Sequence, residues 1–243
     1  MAIFKLDDIV RMSDIGYGNR LSNKAIIKKL CDVACIHSDE AGTGISQIPE
    51  NHLSWIVFNW KVEVLERPFF NEKIHIETWG RDNSKITTYR DYEIYNEAGK
   101  LLVRASSKWG LIDIRTGRLQ KITDDIIENY HQEKDKVAFE GLRELDKISE
   151  PEEHDSKLEY IIRRNFIDLN NHVNNLYYLD IAYECLPEEL YNREEFKNIE
   201  ILYKKQMKLG DKINCYYTHK EDGEYITLKS EDDSILHSIV KLY

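Results

Sequence analysis

Trp60-Lys61-Val62-Glu63-Val64-Leu65-Glu66-Arg67-Pro68-Phe69-Phe70-Asn71-Glu72-Lys73-Ile74 lies without a gap over Ile199-Glu200-Ile201-Leu202-Tyr203-Lys204-Lys205-Gln206-Met207-Lys208-Leu209-Gly210-Asp211-Lys212-Ile213. Subtracting 74 from 213 gives an offset of 139. Apolar positions meet apolar ones (Val62 and Ile201, Val64 and Tyr203, Phe70 and Leu209), and both stretches close on an acid-Lys-Ile triplet. A second pair, Asp14-Ile15-Gly16-Tyr17-Gly18 and Asp168-Leu169-Asn170-Asn171-His172, matches at an offset of 154. Two ordered matches on one chain predict an internal duplication.

Outward from these stretches each half has the same grammar. In the first, Ile26, Ile27, Leu30, Val33, Ala34 and Ile36 form an apolar stripe at helical spacing over Ala25 to Glu40. Gly42 and Gly44 stop that helix and Pro49 follows. Strands are then expected at Trp55 to Leu65, Lys73 to Trp79, Thr87 to Tyr95 and Leu101 to Ile114, with a hairpin turn at Asn96-Glu97-Ala98-Gly99. The second half offers a short strand at Tyr160 to Ile162 and an apolar helix near Leu176 to Cys185. Its further strands are Ile199 to Tyr203, Lys212 to His219, Tyr225 to Ser230 and Ile235 to Leu242. A helix followed by consecutive strands, without strand-helix alternation, predicts an α+β fold with antiparallel sheets. The boundaries read as a first repeat over 1–122, a charged connector over 123–155 with one or two short helices, and a second repeat over 156–243.

The 243 residues carry 34 Lys+Arg against 44 Asp+Glu, a net charge of −10 that argues against nucleic acid as the main partner. No stretch approaches the roughly 20 apolar residues of a membrane span. The N-terminal run from Met1 to Asp8 has neither a signal-peptide core nor transit-peptide character, so a cytoplasmic protein is expected. Cys31, Cys35, Cys185 and Cys215 are too few and scattered for a disulfide framework and read as reduced thiols. Cys31, Cys35 and His37 lack a fourth ligand at zinc-site spacing, so no metal or other cofactor is expected.

The densest polar cluster, Asp168 to Asn175, stands directly before the second helix. Alternation along an extended start puts Asp168, Asn170 and His172 on one face. A carboxylate, a carboxamide and an imidazole so grouped can orient and deprotonate a water, with His172 the base because imidazole titrates near neutrality. Backbone N–H groups at the helix start, near Val173 and Asn174, could hold the oxyanion of an attacked carbonyl. Asp and Asn are also the commonest turn and N-cap residues, and on chemistry alone capping explains the run equally well. The duplicate favours a site: the first copy has Gly16 and Gly18 where the second has Asn170 and His172, and capping would be needed in both.

Asp168-x-Asn170-x-His172-Val173-Asn174-Asn175-x-x-Tyr178, continuing to Glu184 and Pro187, closely resembles the signature of acyl-ACP thioesterases. The first half is similar to that family as well, through Trp55, Arg67-Pro68, Glu72-Lys73-Ile74, Thr78-Trp79, Arg90-Asp91, Ser107-x-Trp109 and Thr116-x-Arg118. The resemblance implies a double hotdog, two repeats each with a helix wrapped by an antiparallel sheet. It implies hydrolysis of a fatty acyl thioester on acyl carrier protein, with Asp168, Asn170 and His172 catalytic. Without a transit peptide, the chain looks like a bacterial member. The family's further acidic residue falls in Tyr203-Lys204-Lys205-Gln206-Met207, where this chain has Gln206, able to position water but not to act as a carboxylate. Met207 leaves no thiol for a cysteine nucleophile there. By the same analogy an acyl tunnel lies in the first repeat, lined from the Trp55–Trp79 sheet and the first helix. An acidic carrier protein needs a basic dock, for which Arg163, Arg164, Lys204 and Lys205 are candidates. Two other readings stand beside this one: an acyl-CoA thioesterase and a non-catalytic acyl-binding protein. Fused repeats supply a partner within one chain, so monomer and homodimer both stay open.

Overall fold

Ser22 starts the first helix: its hydroxyl accepts a hydrogen bond from the Ala25 N–H at 3.2 Å, satisfying one of the free donors of the first turn. The computed structural model describes residues 2–133, 135–168, 170–191 and 196–243, and the chain divides into two compact units, Met1–Leu145 and Asp146–Tyr243. The first unit runs β1 (Phe4–Ile9), α1 (Asn23–Glu40), α2 (Ile48–Asn51), β2 (Leu53–Val64), β3 (Lys73–Asn83), β4 (Thr87–Asn96), β5 (Leu101–Asp113), β6 (Arg118–Leu119) and α3 (Asp124–Tyr130). The second runs β7 (Ser156–Ile161), α4 (Leu176–Glu184), α5 (Glu188–Tyr191), β8 (Asn198–Tyr203), β9 (Lys212–Lys220), β10 (Gly223–Ser230) and β11 (Leu236–Leu242). Among the described residues no helix is long and apolar enough to cross a membrane.

The duplication appears in the strand order. The first unit's antiparallel sheet runs β1-β3-β4-β5-β2, with β6 added on β5, and the second's runs β7-β9-β10-β11-β8. Apart from β6, each strand of one has its counterpart at the same place in the other. The register agrees residue by residue: Ile9 lies opposite Lys73 in the first unit, and Ile161 lies opposite Lys212 in the second. Lys73 and Lys212 are the residues matched by the 139 offset. The edge strand β1 was not expected from the sequence.

Helix α1 buries Ile26, Ile27, Leu30, Val33, Ala34 and His37, whereas Ile36, expected in the stripe, is exposed on the opposite side. Each of the large aliphatics contributes roughly 2 kcal/mol by leaving water. His37 belongs to a polar cluster inside this apolar face. The Arg90 guanidinium donates to His37 Nδ1 at 2.9 Å and to Thr78 Oγ1 at 3.1 Å, while Phe4 stacks on the imidazole at 5.1 Å and Tyr130 meets its edge at 5.3 Å. Burial and the neighbouring Arg90 charge hold the imidazole down to about 3.

Strand alternation sends Asp91 and Trp79 to the other face of the sheet. There they meet the stretch that follows α3. The Ala138 N–H donates to Asp91 Oδ2 at 2.9 Å, Arg81 donates to the carbonyls of Leu142 and Arg143 at 2.9 Å each, and Trp79 packs on Ala138 and Phe139. Helix α3 itself packs Ile126 and Tyr130 on Ala41, Leu111 and Ile122. The segment read as a connector over 123–155 therefore contributes its first part to the core of the first unit. In the second unit the shorter α4 buries Tyr178, Leu179, Ile181 and Ala182.

Candidate active site

The chain after β7 makes one 3-10 turn, Arg164–Phe166, anchored by the buried Phe166 ring against Tyr160 at 6.1 Å and Tyr177 at 4.9 Å. Ile167 then bridges Val173 in antiparallel fashion, so the chain doubles back between these two residues. Asn171 takes the left-handed conformation at φ 60°, a position that Asn tolerates better than most residues. Asp168 organises the turn. Its carboxylate accepts the Asn170 N–H at 2.8 Å, its carbonyl accepts the Asn171 N–H at 3.1 Å, and its own N–H donates to the His172 carbonyl at 2.9 Å.

Capping of α4 falls to a neighbour. Asn174 Oδ1 accepts the Leu176 N–H at 3.0 Å, and the Asn174 carbonyl accepts the Tyr177 N–H at 2.9 Å. Asp168, Asn170 and His172 are thus not spent on the helix start, which removes the capping explanation for these three. The first unit's copy of the turn has a different fate. Asp14, the counterpart of Asp168, is buried against Lys29 at 2.8 Å and accepts the Arg11 N–H at 2.9 Å. Burial alone would raise that carboxyl, but the Lys29 and Arg11 hydrogen bonds outweigh it and hold it below the usual range. Asp168 stays half-exposed on an open turn.

His172, half-buried, meets Gln206: the Gln206 amide N–H donates to His172 Nε2 at 2.8 Å. In this pairing the amide nitrogen can only donate, so Nε2 is the accepting atom. Gln206 sits on the turn after β8, and that turn is fastened on three sides. Met207 O accepts the Val173 N–H at 2.9 Å; the Tyr178 hydroxyl accepts the Met207 N–H at 3.1 Å; His237 Nδ1–H donates to the Lys205 carbonyl at 3.0 Å. Burial pushes the Tyr178 phenol up to about 12, so it is neutral at any working pH.

Two family models match the chain, the acyl-ACP thioesterase N-terminal domain over residues 2–130 and the acyl-ACP thioesterase C-terminal domain over residues 149–240. The chain belongs to the acyl-ACP thioesterase family. Curated relatives include oleoyl-acyl carrier protein thioesterase 2, chloroplastic, of Arabidopsis thaliana, 27% identical over 92% of this chain and 65% of the relative. The palmitoyl-acyl carrier protein thioesterase, chloroplastic, of the same plant is 28% identical over 84% of this chain and 52% of the relative. The chain thus spans between about half and two thirds of the length of these relatives. Among solved structures, an acyl-ACP thioesterase from Bacteroides thetaiotaomicron superposes with a TM-score of 0.85 at 20% identity, covering 99% of this chain and 97% of that one. The 12:0-ACP thioesterase from Umbellularia californica gives 0.84 at 19% identity, covering 100% and 96%. The architecture is the double hotdog of that family.

Measured against the acyl-ACP thioesterase signature, the residues singled out from the sequence divide. His172 and Gln206 are in contact; Asp168 reaches the Asn170 backbone, and Asn170 is exposed on the same turn. The Val173 and Asn174 amides do not remain for an oxyanion: they donate to the carbonyls of Met207 and Phe166, both at 2.9 Å, because the chain here is still pairing as a strand and has not entered the helix. Trp55 stands half-buried on the α1 side, its indole N–H donating to Thr43 at 3.4 Å and its ring edge-on to Tyr130 at 6.1 Å. Trp79 cannot line a tunnel between α1 and the sheet, because it points to the opposite face, donates to the Lys136 carbonyl at 2.8 Å and is covered by the Lys136 ammonium at 4.3 Å. Arg163, Arg164, Lys204 and Lys205 are all exposed. The sequence reading missed His237, a single histidine in an alternating strand with no spacing signal, and gave Tyr178 no role.

Proposed function

We propose that this chain hydrolyses a fatty acyl thioester carried on acyl carrier protein, with His172 as general base. The contact between Gln206 and His172 Nε2 on an open turn carries the reading, together with membership of the family. A water enters between the two side chains, held by the Gln206 carboxamide, and gives its proton to Nε2. The hydroxide adds to the thioester carbon; the tetrahedral oxyanion collapses, the C–S bond breaks, and the thiolate takes the proton back from the imidazolium. Asp168 holds the turn that presents His172. The Asn170 carboxamide, on the exposed side of the same turn, is the donor we assign to the oxyanion in place of the Val173 and Asn174 amides. Trp55 and the apolar side of α1 serve the acyl chain, while Arg163, Arg164, Lys204 and Lys205 attract an acidic carrier. The reading sets the enzyme in the cytoplasm, where its four free cysteines stay reduced.

One observation supports a second reading. With the amide N–H of Gln206 on Nε2, the lone pair a base requires is occupied, as in a protein that binds acyl groups without cleaving them. Incubating the purified chain with acyl carrier protein loaded with acyl groups of increasing length, and with the matching acyl-CoA series, separates the readings by mass spectrometry. Free acid and holo carrier protein are expected, with turnover on acyl-CoA much lower. Equal turnover on CoA esters overturns the carrier assignment, and retention of acyl groups without free acid overturns hydrolysis.

A further inference from the structure

We propose that His237, on β11, is a positioning residue that sets which nitrogen of the His172 imidazole is available to a water. His237 is 5% exposed, and its ring is hydrogen-bonded to the turn that carries Gln206. The ring donates from Nδ1 to the Lys205 carbonyl at 3.0 Å, while its own carbonyl accepts the Lys204 N–H at 2.9 Å and the Lys205 N–H at 3.2 Å. Three bonds from one residue therefore pin the two residues immediately before Gln206. A carbonyl can only accept, so the His237 proton is fixed on Nδ1 whatever the state of Nε2. On the other side of the turn the Tyr178 hydroxyl takes the Met207 N–H at 3.1 Å, fixing the residue immediately after Gln206. The exposed Gln206 side chain is thus mounted on a backbone held at both ends by buried groups. Its amide is aimed at His172 Nε2 at 2.8 Å by that mounting.

Removing the His237 donor leaves the Lys205 carbonyl the longer bond from the Tyr178 hydroxyl at 3.5 Å, and the turn drifts by a fraction of an ångström or more, enough to lose the Gln206–His172 hydrogen bond. The imidazole then loses the contact that selects its tautomer, and both ring nitrogens share the proton. Histidine to asparagine keeps an N–H donor close to the Nδ1 position, whereas histidine to leucine keeps the volume and removes the donor. The contrast between the two variants isolates the hydrogen bond from the packing.

The test has two arms, and only the kinetic one rests on the hydrolase reading above. The first is the imidazole 15N spectrum of the full chain labelled at histidine, with His172 assigned by its loss in His172→Ala. Wild type should show one tautomer, protonated on Nδ1; His237→Leu should show averaged shifts, and His237→Asn should restore the wild-type pattern. The second is hydrolysis of acyl carrier protein thioester, where His237→Leu should lower kcat at least tenfold with KM within twofold, and His237→Asn should recover to within threefold. Should His237→Leu fail to fold, Tyr178→Phe is expected to average the same His172 shifts by releasing Met207. Unchanged His172 shifts in a folded His237→Leu or Tyr178→Phe protein overturn the proposal, as does His237→Asn that is no better than leucine. A wild-type protein that releases no acid overturns the hydrolase reading alone, since the spectrum still decides the role of His237.

Discussion

Acid should unfold the first unit through His37. The imidazole is buried neutral and accepts from Arg90 at 2.9 Å, so a proton on Nδ1 would set two donors and two positive charges against each other. Among the described residues, the groups that touch it carry no anion: Phe4 from β1, Thr78 from β3, Arg90 from β4 and Tyr130 from α3, with His131 adding to the positive side. The folded imidazole titrates at about 3 against 6.5 when unfolded. A depressed folded value means that the unfolded chain binds the extra proton, so stability is complete above 6.5 and declines as pH falls toward 3. Between pH 7.5 and pH 5.0 this one group should remove about 2 kcal/mol, the slope approaching its limit of about 1.36 kcal/mol per pH unit only toward the acid end of that interval. The assay is urea unfolding followed by tryptophan fluorescence, which reports the first unit because Trp55, Trp60, Trp79 and Trp109 all lie within it. His37→Gln offers Arg90 an amide oxygen and does not titrate. Wild type should lose about 2 kcal/mol more than His37→Gln over that interval. Parallel losses in the two proteins would refute the argument.

Three further outcomes follow from other contacts. Lys29, 3% exposed, pairs with Asp8 at 2.7 Å and Asp14 at 2.8 Å, so Lys29→Met should cost about 3 kcal/mol in thermal or urea denaturation by leaving the buried Asp14 without its ammonium, while Asp8 keeps Arg11. Gln206→Glu places an anion on the His172 imidazole; it should raise the acid limb of the pH–rate profile by about one pH unit, and an unmoved limb would separate residue 206 from the base. Reversing the exposed Arg163 and Arg164 to Glu should raise KM for acyl carrier protein about tenfold at low salt, leave acyl-CoA hydrolysis unchanged, and lose its effect as salt screens the charges.

The duplication was legible because burial enforces it: Val62 on β2 and Ile201 on β8 occupy equivalent positions of the two repeats, and both are 1% exposed. Strand β1 was hidden because its alternation breaks at Asp8, an acid turned inward by a lysine 21 residues away, and no local pattern carries that partnership. The stretch after α3 read as a connector for a similar reason. Its anchors are polar and remote, with Lys136 on Glu77 at 2.8 Å and Arg81 on the Leu142 carbonyl at 2.9 Å, so it lacks the apolar period of an element. At the site, the turn residues are visible as a polar cluster, while the amides of Val173 and Asn174 go to the carbonyls of Met207 and Phe166, partners that no local pattern reveals. The approach of Gln206 to His172 crosses 34 residues and could be expected only from the resemblance. The support from His237 could not be expected at all, since one buried histidine in a strand looks like any other.

Side-by-side turnover of acyl carrier protein thioester by wild type and by His172→Ala, with folding of both checked by circular dichroism, bears most directly on the reaction. Free fatty acid should form with the wild-type chain and fall at least a hundredfold, as expected when a general base is removed. Equal release by the two proteins would mean that the imidazole beside Gln206 takes no part in breaking the thioester.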